Sequence, residues 1–312
     1  VHVRSSTTNG VLGLADNECV IPPAGIYSAE WVIVPTQRPD FWDFVNACRR
    51  IRDVNFTLNH QFAFLPTSAS NSTVVNLIRH KSADVVSAGL NKVEGVKAHG
   101  TLFQKLDLNI YAWHNDRVRR YFPTVKPLVY FHCYLDNSDL ADLGKFEGDR
   151  TLLPDGAQAT YGGAEDRLRI FFPTASNKWG EAMARNLDSI LGVDPGECKA
   201  DGVYWDSFNL NASNSKYHYG EPWDGISGDI EEQTGSLLRL KSSTVLLSRE
   251  WIVNQMQRIM REGLLFANGQ PHIRSIYNLH FQTFQEVASD NNYSRALLYS
   301  PVALGNHLIE ET

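Results

Sequence analysis

The stretch that decides the fold is ADGVYWDSFN, residues 200–209. Side chains alternate between the two faces of a strand, so Tyr204 and Asp206 share one face while Val203 and Trp205 share the other. The stretch predicts a short buried strand that carries Asp206 to its carboxyl end. In a barrel of parallel strands, active sites lie at that end. An aspartate there can also cap a turn, which is the alternative to a catalytic role.

Strand patterns and helical patterns alternate along most of the chain. The predicted strands are 55–65, 84–90, 128–136, 169–173, 202–208, 264–268, 280–286 and 296–304. The predicted helices are 73–80, 178–191 and 249–262, together with one that starts after an Asp40 N-cap. This alternation implies right-handed crossovers and a parallel sheet. We predict an α/β fold with a (β/α)8 TIM-like barrel over residues 37–312. If 169–173 lies outside the barrel, an eighth barrel strand is not evident before residue 312, which suggests truncation or a barrel that is incomplete at its C-terminus. An open doubly wound sheet is the alternative.

Two segments depart from this alternation. Residues 1–36 are rich in Val, Ile, Thr, Gly and Pro, which indicates a β-rich N-terminal segment or the end of a preceding β domain. Residues 209–243 form a long predicted loop that contains Tyr217, Tyr219 and Trp223. Loops of this length within a domain are usually functional or disordered, and the aromatic content argues against disorder. We predict that this loop is a lid or a wall of a substrate site.

Composition and motifs exclude several classes of function. The 312-residue chain carries a net charge of -6 and has no basic cluster large enough to neutralise a run of phosphates, so nucleic acid is not an expected partner. No apolar run approaches the ~20 residues that span a bilayer, so membrane insertion is not expected. The sequence has no CxxC pair, HExxH helix, phosphate-binding loop or GxSxG elbow. We expect no cofactor and no metal. Oligomeric state is left open.

Weak signals favour a secreted or extracytoplasmic location. Acceptor triplets for N-glycosylation begin at Asn55, Asn71, Asn211 and Asn292, although Asn55 falls in a predicted strand that could not house a glycan. The four cysteines allow three disulfide pairings, and their spacing does not select one. Cys133 lies in an apolar run and is expected to be a buried thiol.

A carboxylate pair would give the chain a hydrolytic chemistry. If Asp206 is one member, its partner must come from another strand end at the same edge, and Glu286 is the first candidate because it ends the strand 280–286. A glutamate at that position could instead stabilise the start of a helix. Two carboxyl groups about 5 Å apart cleave a glycosidic bond with retention, whereas about 6.5–9.5 Å leads to inversion. The sequence itself gives no such distance.

Other residues are expected to bind a carbohydrate substrate. Aromatic rings stack on sugars, and amide, carboxyl or imidazole groups bind hydroxyls. The expected substrate-binding residues are Asp136, Tyr204, Trp205, Tyr217, Tyr219, Trp223, Asn268 and His307. Asp136 would end a polar strand face that also includes Tyr130 and His132. Structural alternatives are a hydrogen-bonded core for that face, ordinary packing for the strand aromatics and a turn at Asn268.

Residues 201–209 resemble the fourth-strand motif of retaining glycoside hydrolases in the α-galactosidase and α-glucosidase groups and in the endo-α-N-acetylgalactosaminidase group. In those families the aspartate that ends this strand is the nucleophile, and the acid/base often stands on the sixth strand. The resemblance implies that Asp206 is the nucleophile. If 169–173 is an excursion outside the barrel, 280–286 becomes the sixth strand and Glu286 the implied acid/base. The close likeness covers about ten residues.

Two hypotheses compete with glycoside hydrolysis. The first is a catalytically inactive barrel that binds glycans or a partner through its aromatic loop. The second is a barrel lyase or isomerase that uses His132 or His307 as a base.

Overall fold

The computed structural model describes residues 2–6, 11–30, 32–51, 53, 60–88, 108–136, 144–161, 168–192, 198–208, 216–269, 273–279, 281–286 and 302–305. Its strands are β1 His2–Ser6, β2 Val11–Ala15, β3 Phe62–Leu65, β4 Val85–Ala88, β5 Lys126–Phe131, β6 Leu135–Asp136, β7 Thr160–Tyr161, β8 Leu168–Ile170, β9 Gly202–Trp205, β10 Tyr217–His218, β11 Gly228–Ile230, β12 Leu237–Leu240, β13 Ser242–Ser243, β14 Leu264–Asn268, β15 Gln282–Glu286 and β16 Val302–Gly305. Its helices are α1 Phe41–Ile51, α2 Asn71–Lys81, α3 Leu108–Tyr121, α4 Lys178–Leu191, α5 Thr244–Leu247, α6 Arg249–Glu262 and α7 Arg274–Tyr277, and a 3-10 helix covers Gly144–Asp149.

Among the described residues, seven parallel strands form the central sheet, in the order β3-β4-β5-β9-β14-β15-β16. Strands that neighbour one another in the sheet therefore follow one another along the chain, as crossover connections require. The treatment of 169–173 as an excursion is confirmed, because β8 pairs with β6 and β7 in a separate antiparallel sheet. The segment 202–208 thus holds the fourth strand and 280–286 the sixth. An eighth strand of this sheet is not among the described residues.

Aromatic rings inside the sheet show that it is curved. Phe62 on the first strand stacks on Tyr204 of the fourth at 5.2 Å and on Phe266 of the fifth at 4.9 Å between ring centroids. In a flat sheet those strands would lie about 14 and 19 Å from the first. The two edge strands, β3 and β16, also approach each other. The sheet is therefore wrapped as in a partial TIM-like barrel, with these rings in its interior.

The opposite face of the sheet is covered by helices. Trp205 of β9 packs there against Trp251 of α6, with ring centroids 5.9 Å apart. Helix α4 begins where the Asn177 side chain accepts the Gly180 N–H at 2.8 Å and ends at Gly192, whose φ of +72° suits a glycine. The predicted boundaries of α4 and α6 are confirmed, and α2 extends the prediction of 73–80 by a few residues.

Two excursions leave the carboxyl ends of the third and fourth strands. The first contains β6, β7, β8 and the 3-10 helix, and the second contains β10 to β13. They pack together, since the Tyr219 N–H donates to the Leu152 carbonyl at 2.9 Å and the Phe172 ring lies 4.8 Å from the His218 ring. The predicted loop 209–243 contains two small antiparallel sheets in its described part.

The structure also describes part of the N-terminal segment and all four cysteines. Strands β1 and β2 form an antiparallel pair, as the β-rich composition of residues 1–36 indicates. All four cysteines lie in described residues and none is in a disulfide; Cys133 is a buried thiol, as predicted. No described helix is long and apolar enough to cross a membrane.

Candidate active site

Asp206 lies directly after the fourth strand, at the carboxyl edge of the sheet. Its backbone N–H donates to the Phe131 carbonyl at 2.8 Å, which continues the ladder between β5 and β9 by one residue. The chain then turns at Ser207, a non-glycine residue with a φ of +45°. Asp206 is buried, with 8% of its surface exposed. The placement of this carboxylate at the strand end agrees with the alternation read from residues 200–209.

Two side chains from the neighbouring strands hold the Asp206 carboxylate. The Tyr130 hydroxyl on β5 donates to Oδ2, and the Asn268 amide on β14 donates to Oδ1 at 2.7 Å. Register explains this convergence, because Tyr204 pairs with Tyr130 on one side and with Phe266 on the other, and position 268 continues the same inner face. Both donors are neutral, so the buried carboxyl group is stabilised here by hydrogen bonds from the two strands that flank β9.

The Tyr130 hydroxyl remains a proton donor in this environment. Burial raises the pKa of Tyr130 well above its ordinary value, and the adjacent Asp206 carboxylate raises it further. The sequence pattern puts Tyr130 on a polar strand face but does not relate it to Asp206. Only the strand register, which brings residue 130 next to residue 204, shows the contact with Asp206.

Glu286 ends the sixth strand. In the register of β14 with β15, Asn268 pairs with Phe284, so position 286 belongs to the same face of the sheet as Asp206 and Asn268 and lies two residues nearer the carboxyl edge. Two strand spacings and two residues of rise put the Asp206 and Glu286 Cα atoms about 12 Å apart in a flat sheet. Curvature shortens that separation.

The two aromatic residues of the fourth strand are not placed to stack on a sugar. Trp205 is fully buried in the helix-facing core, beside Phe131 and Trp251. Tyr204 is 1% exposed and is enclosed by Phe62, Phe64 and Tyr130 in the barrel interior. Parallel strands are covered on both faces, which explains why both rings pack within the protein. The expectation of a stacking role for Trp205 and Tyr204 is therefore corrected.

Asp136 does not end the third strand. Strand β5 stops at Phe131, and Asp136 lies in β6, opposite Arg169 of β8, where it is completely buried. The chain turns after β5 because Nδ1 of His132 accepts the backbone N–H groups of Tyr134 and Leu135 at 3.1 and 3.3 Å. The predicted strand 128–136 is thus two strands of different sheets. A neutral imidazole has one acceptor nitrogen. In His132 that nitrogen, Nδ1, already accepts two backbone N–H groups, so these bonds compete with a role as a base.

The loop aromatics belong to an ion-pair cluster in the second excursion. The Lys241 ammonium lies 3.8 Å from the Tyr217 ring centroid and 3.0 Å from both Glu18 and Asp229. The Tyr217 hydroxyl donates to Glu18, and the Arg239 guanidinium covers the Tyr219 ring at 4.5 Å.

These contacts account for the aromatic content of residues 209–243. Burial lowers the pKa of Lys241, but its hydrogen bonds with Asp229 and Glu18 outweigh that effect and the pKa is raised. Trp223 Nε1 donates to the Ser227 carbonyl at 2.8 Å. The described contacts of these three rings serve the packing of the excursion and of residues 16–20.

His307 lies outside the described residues.

Comparisons with known proteins give a faint likeness to glycoside hydrolases. No family model and no curated protein matches the sequence. Similar solved structures include an α-galactosidase from Thermus thermophilus (TM-score 0.47, 12% identity, 83% of this chain and 49% of that chain), a family GH36 α-galactosidase from Geobacillus stearothermophilus (TM-score 0.47, 9% identity, 83% and 35%) and a cycloisomaltooligosaccharide glucanotransferase from Paenibacillus sp. (TM-score 0.45, 12% identity, 79% and 38%). The chain spans less than half the length of each of these proteins. Similarity at this level defines neither a family nor an activity for the chain.

Proposed function

We propose that this chain is a glycoside hydrolase that cleaves a glycosidic bond with retention and uses Asp206 as its nucleophile. The observation that carries the proposal is the buried carboxylate at the end of the fourth strand, held between Tyr130 and Asn268. Burying a carboxylate is costly even when it is hydrogen-bonded. A charge retained at the carboxyl edge of a barrel-like sheet is more typical of catalysis than of a turn cap.

Glu286 is proposed as the acid/base. It ends the sixth strand, on the face of the sheet to which Asp206 belongs, and no other acidic residue occupies an inner-face position of the described central strands. A backbone separation of at most about 12 Å allows two carboxyl groups to approach the 5–5.5 Å that retaining glycosidases require.

The proposed reaction has two displacements. In the first, an Asp206 oxygen attacks the anomeric carbon, the glycosidic C–O bond breaks, and the Glu286 proton passes to the leaving oxygen. In the second, the Glu286 carboxylate takes a proton from water, the water oxygen attacks the anomeric carbon, and the bond to Asp206 breaks. The sugar is released with its original anomeric configuration.

The interior of the barrel would form the floor of this site. Phe62, Phe64, Tyr204 and Phe266 fill the space beneath Asp206 with closely packed rings, so a sugar would enter from the carboxyl edge only. The two excursions leave from that edge and are proposed to wall the site.

The test is hydrolysis of aryl glycosides by the wild-type protein and two sets of variants. A panel of p-nitrophenyl α- and β-glycosides should start with the galactosides, glucosides and N-acetylgalactosaminides to which the fourth-strand motif points. We expect Asp206→Asn to lose at least about 10³-fold in kcat with all active substrates while its melting temperature is kept, because the amide cannot act as nucleophile. Retained turnover by Asp206→Asn would remove Asp206 from the mechanism.

Glu286 has its own signature in the same assay. Glu286→Ala should hydrolyse substrates with good leaving groups much better than those with poor ones, because only the latter need a proton donor, and added azide should restore turnover as a glycosyl azide. Asp188→Asn, a change at a helix-surface carboxylate that pairs with Arg258, is the matched control and should leave kcat unchanged. Sugar binding without hydrolysis across the panel would instead favour a catalytically inactive glycan-binding barrel.

A further inference from the structure

We infer that Tyr130 and Asn268 are positioning residues that fix the direction of the Asp206 carboxylate between β5 and β14. This inference rests on the proposed function for its catalytic consequence. The contact itself rests on geometry alone: one donor on each neighbouring strand, and one carboxylate oxygen for each donor.

Because each carboxylate oxygen has its own donor on a different strand, the rotation of the carboxylate is restricted more than by a single hydrogen bond. Rotation about the Cβ–Cγ bond of Asp206 would break both hydrogen bonds at once, because the donors lie on opposite sides of β9. Each carboxylate oxygen has two lone-pair directions, so one protein donor does not saturate it. The two donors preorganise the carboxylate for attack by fixing its plane.

Both donors favour the charged form of Asp206. A hydroxyl and an amide N–H can bond to a carboxylate oxygen in its ionised state, and such bonds stabilise that state. The titratable groups at the inner-face positions around Asp206 are Tyr130 from the third strand, Tyr204 from the fourth and Glu286 from the sixth, and His132 lies directly after the third strand. No described central strand places Lys or Arg there at its carboxyl end. The described donors to the Asp206 carboxylate are therefore neutral groups.

Removing one hydroxyl tests the inference. Tyr130→Phe keeps the ring that packs against Tyr204 and deletes only the donor. We expect kcat/KM to fall about 10- to 100-fold, the range for a lost hydrogen bond to a charged group, and the acid limb of the kcat/KM profile to move to higher pH. Tyr134→Phe deletes a buried hydroxyl from the helix-facing core and is the matched control, with an unmoved acid limb.

Asn268 gives a second and independent variant. Asn268→Ala should move the acid limb in the same direction, and the double variant with Tyr130→Phe should be non-additive because both donors hold one carboxylate. If Tyr130→Phe does not fold, the Asn268 variant decides the matter by the same pH profile. Acid limbs of both variants that coincide with the wild type would overturn the inference, even if Asp206→Asn is inactive.

Carbon NMR of labelled aspartate separates this inference from the proposed function. The Asp206 carboxyl signal, assigned by its loss in Asp206→Asn, should have a different chemical shift in Tyr130→Phe from that in the wild type, because one of its two hydrogen bonds is lost. This difference is expected whether or not the protein hydrolyses any glycoside. A wild-type protein without glycosidase activity would refute the proposed function alone, whereas an unchanged Asp206 signal in Tyr130→Phe would refute the positioning role alone.

Discussion

Replacing Gly202 with alanine should damage both the fold and the site. Gly202 begins β9, and a Cβ atom added there would lie 2.0 Å from the Leu264 carbonyl oxygen and 2.5 Å from its nitrogen, both on the backbone of β14. Ordinary contact begins near 3.4 Å, so the two strands must separate locally by about 1.4 Å. That movement would strain the 2.9 Å hydrogen bond from the Leu264 N–H to the Asp201 carbonyl and would carry Asp206 away from Asn268. Overpacking costs about 1–3 kcal/mol and a lost hydrogen bond about 1 kcal/mol, so we expect a loss of about 3 kcal/mol.

Equilibrium unfolding in guanidinium chloride measures this loss as a lower midpoint at constant slope. The matched control is Gly148→Ala, because an added Cβ at Gly148 meets nothing within 4 Å. We expect the control to stay within about 0.5 kcal/mol of the wild type. A Gly202→Ala protein as stable as the control would refute the close approach of β9 and β14 on which the site geometry depends.

Two further predictions concern the excursion and the response to acid. Lys241→Met removes an ammonium that is only 5% exposed, but Glu18 and Asp229 are partly exposed and keep Tyr217 and Arg239 as donors. We therefore expect the free energy of unfolding to fall by about 1–3 kcal/mol. Lys126→Met on the surface is the control and should be nearly neutral, and an equal effect of the two changes would contradict the ion-pair cluster. Burial, and then the neighbouring Arg117, lower the pKa of His114 to about 4. Below the ordinary histidine pKa of about 6.5, the unfolded chain therefore binds more protons at His114 than the folded chain does. The contribution of neutral His114 to the free energy of unfolding is full above about pH 6.5 and falls by about 3 kcal/mol as the pH drops towards 4. His114→Gln should flatten this part of the stability profile while His80→Gln on the exposed face of α2 should not; an unchanged acid slope in His114→Gln would show that another group is responsible.

The sequence was sufficient for the strand that carries Asp206 and for the order of the strands around it. An alternating buried run with a polar end fixes which residues share a face, and chain order gives sheet order when the crossovers are right-handed. The same alternation put Trp205 on the face opposite Asp206. The burial of Trp205 among helices is therefore consistent with the alternation, whereas the predicted role in stacking on a sugar was not consistent with it.

The sequence did not predict that one apolar run, residues 128–136, contributes strands to two different sheets. Nothing in the composition of residues 128–136 marks the change from β5 to β6, which depends on hydrogen bonds from the His132 ring to two backbone N–H groups. Helix α3 was not among the predicted helices either. Its Arg117 is buried because its guanidinium donates to the carbonyls of Thr67 and Ala69, contacts that depend on residues about 50 positions away.

The contact between Tyr130 and Asp206 is likewise a product of register. Residues 130 and 206 are 76 positions apart, and no local pattern relates them. A shift of one residue in the pairing of β5 with β9 would turn Tyr130 to the helix-facing side. The sequence thus identified the carboxylate, and the folded chain identified the groups that hold it.

Trapping of a covalent glycosyl-enzyme tests the central claim most directly. The protein is incubated with 5-fluoroglycosyl fluorides of the galacto, gluco and N-acetylgalactosamino series, digested and analysed by peptide mass spectrometry. We expect one glycosyl adduct on Asp206, absent in Asp206→Asn and slower to form in Tyr130→Phe. A glycosyl adduct on another residue, or an active protein whose first product has inverted anomeric configuration, would contradict the assignment of Asp206 as the nucleophile of a retaining glycoside hydrolase.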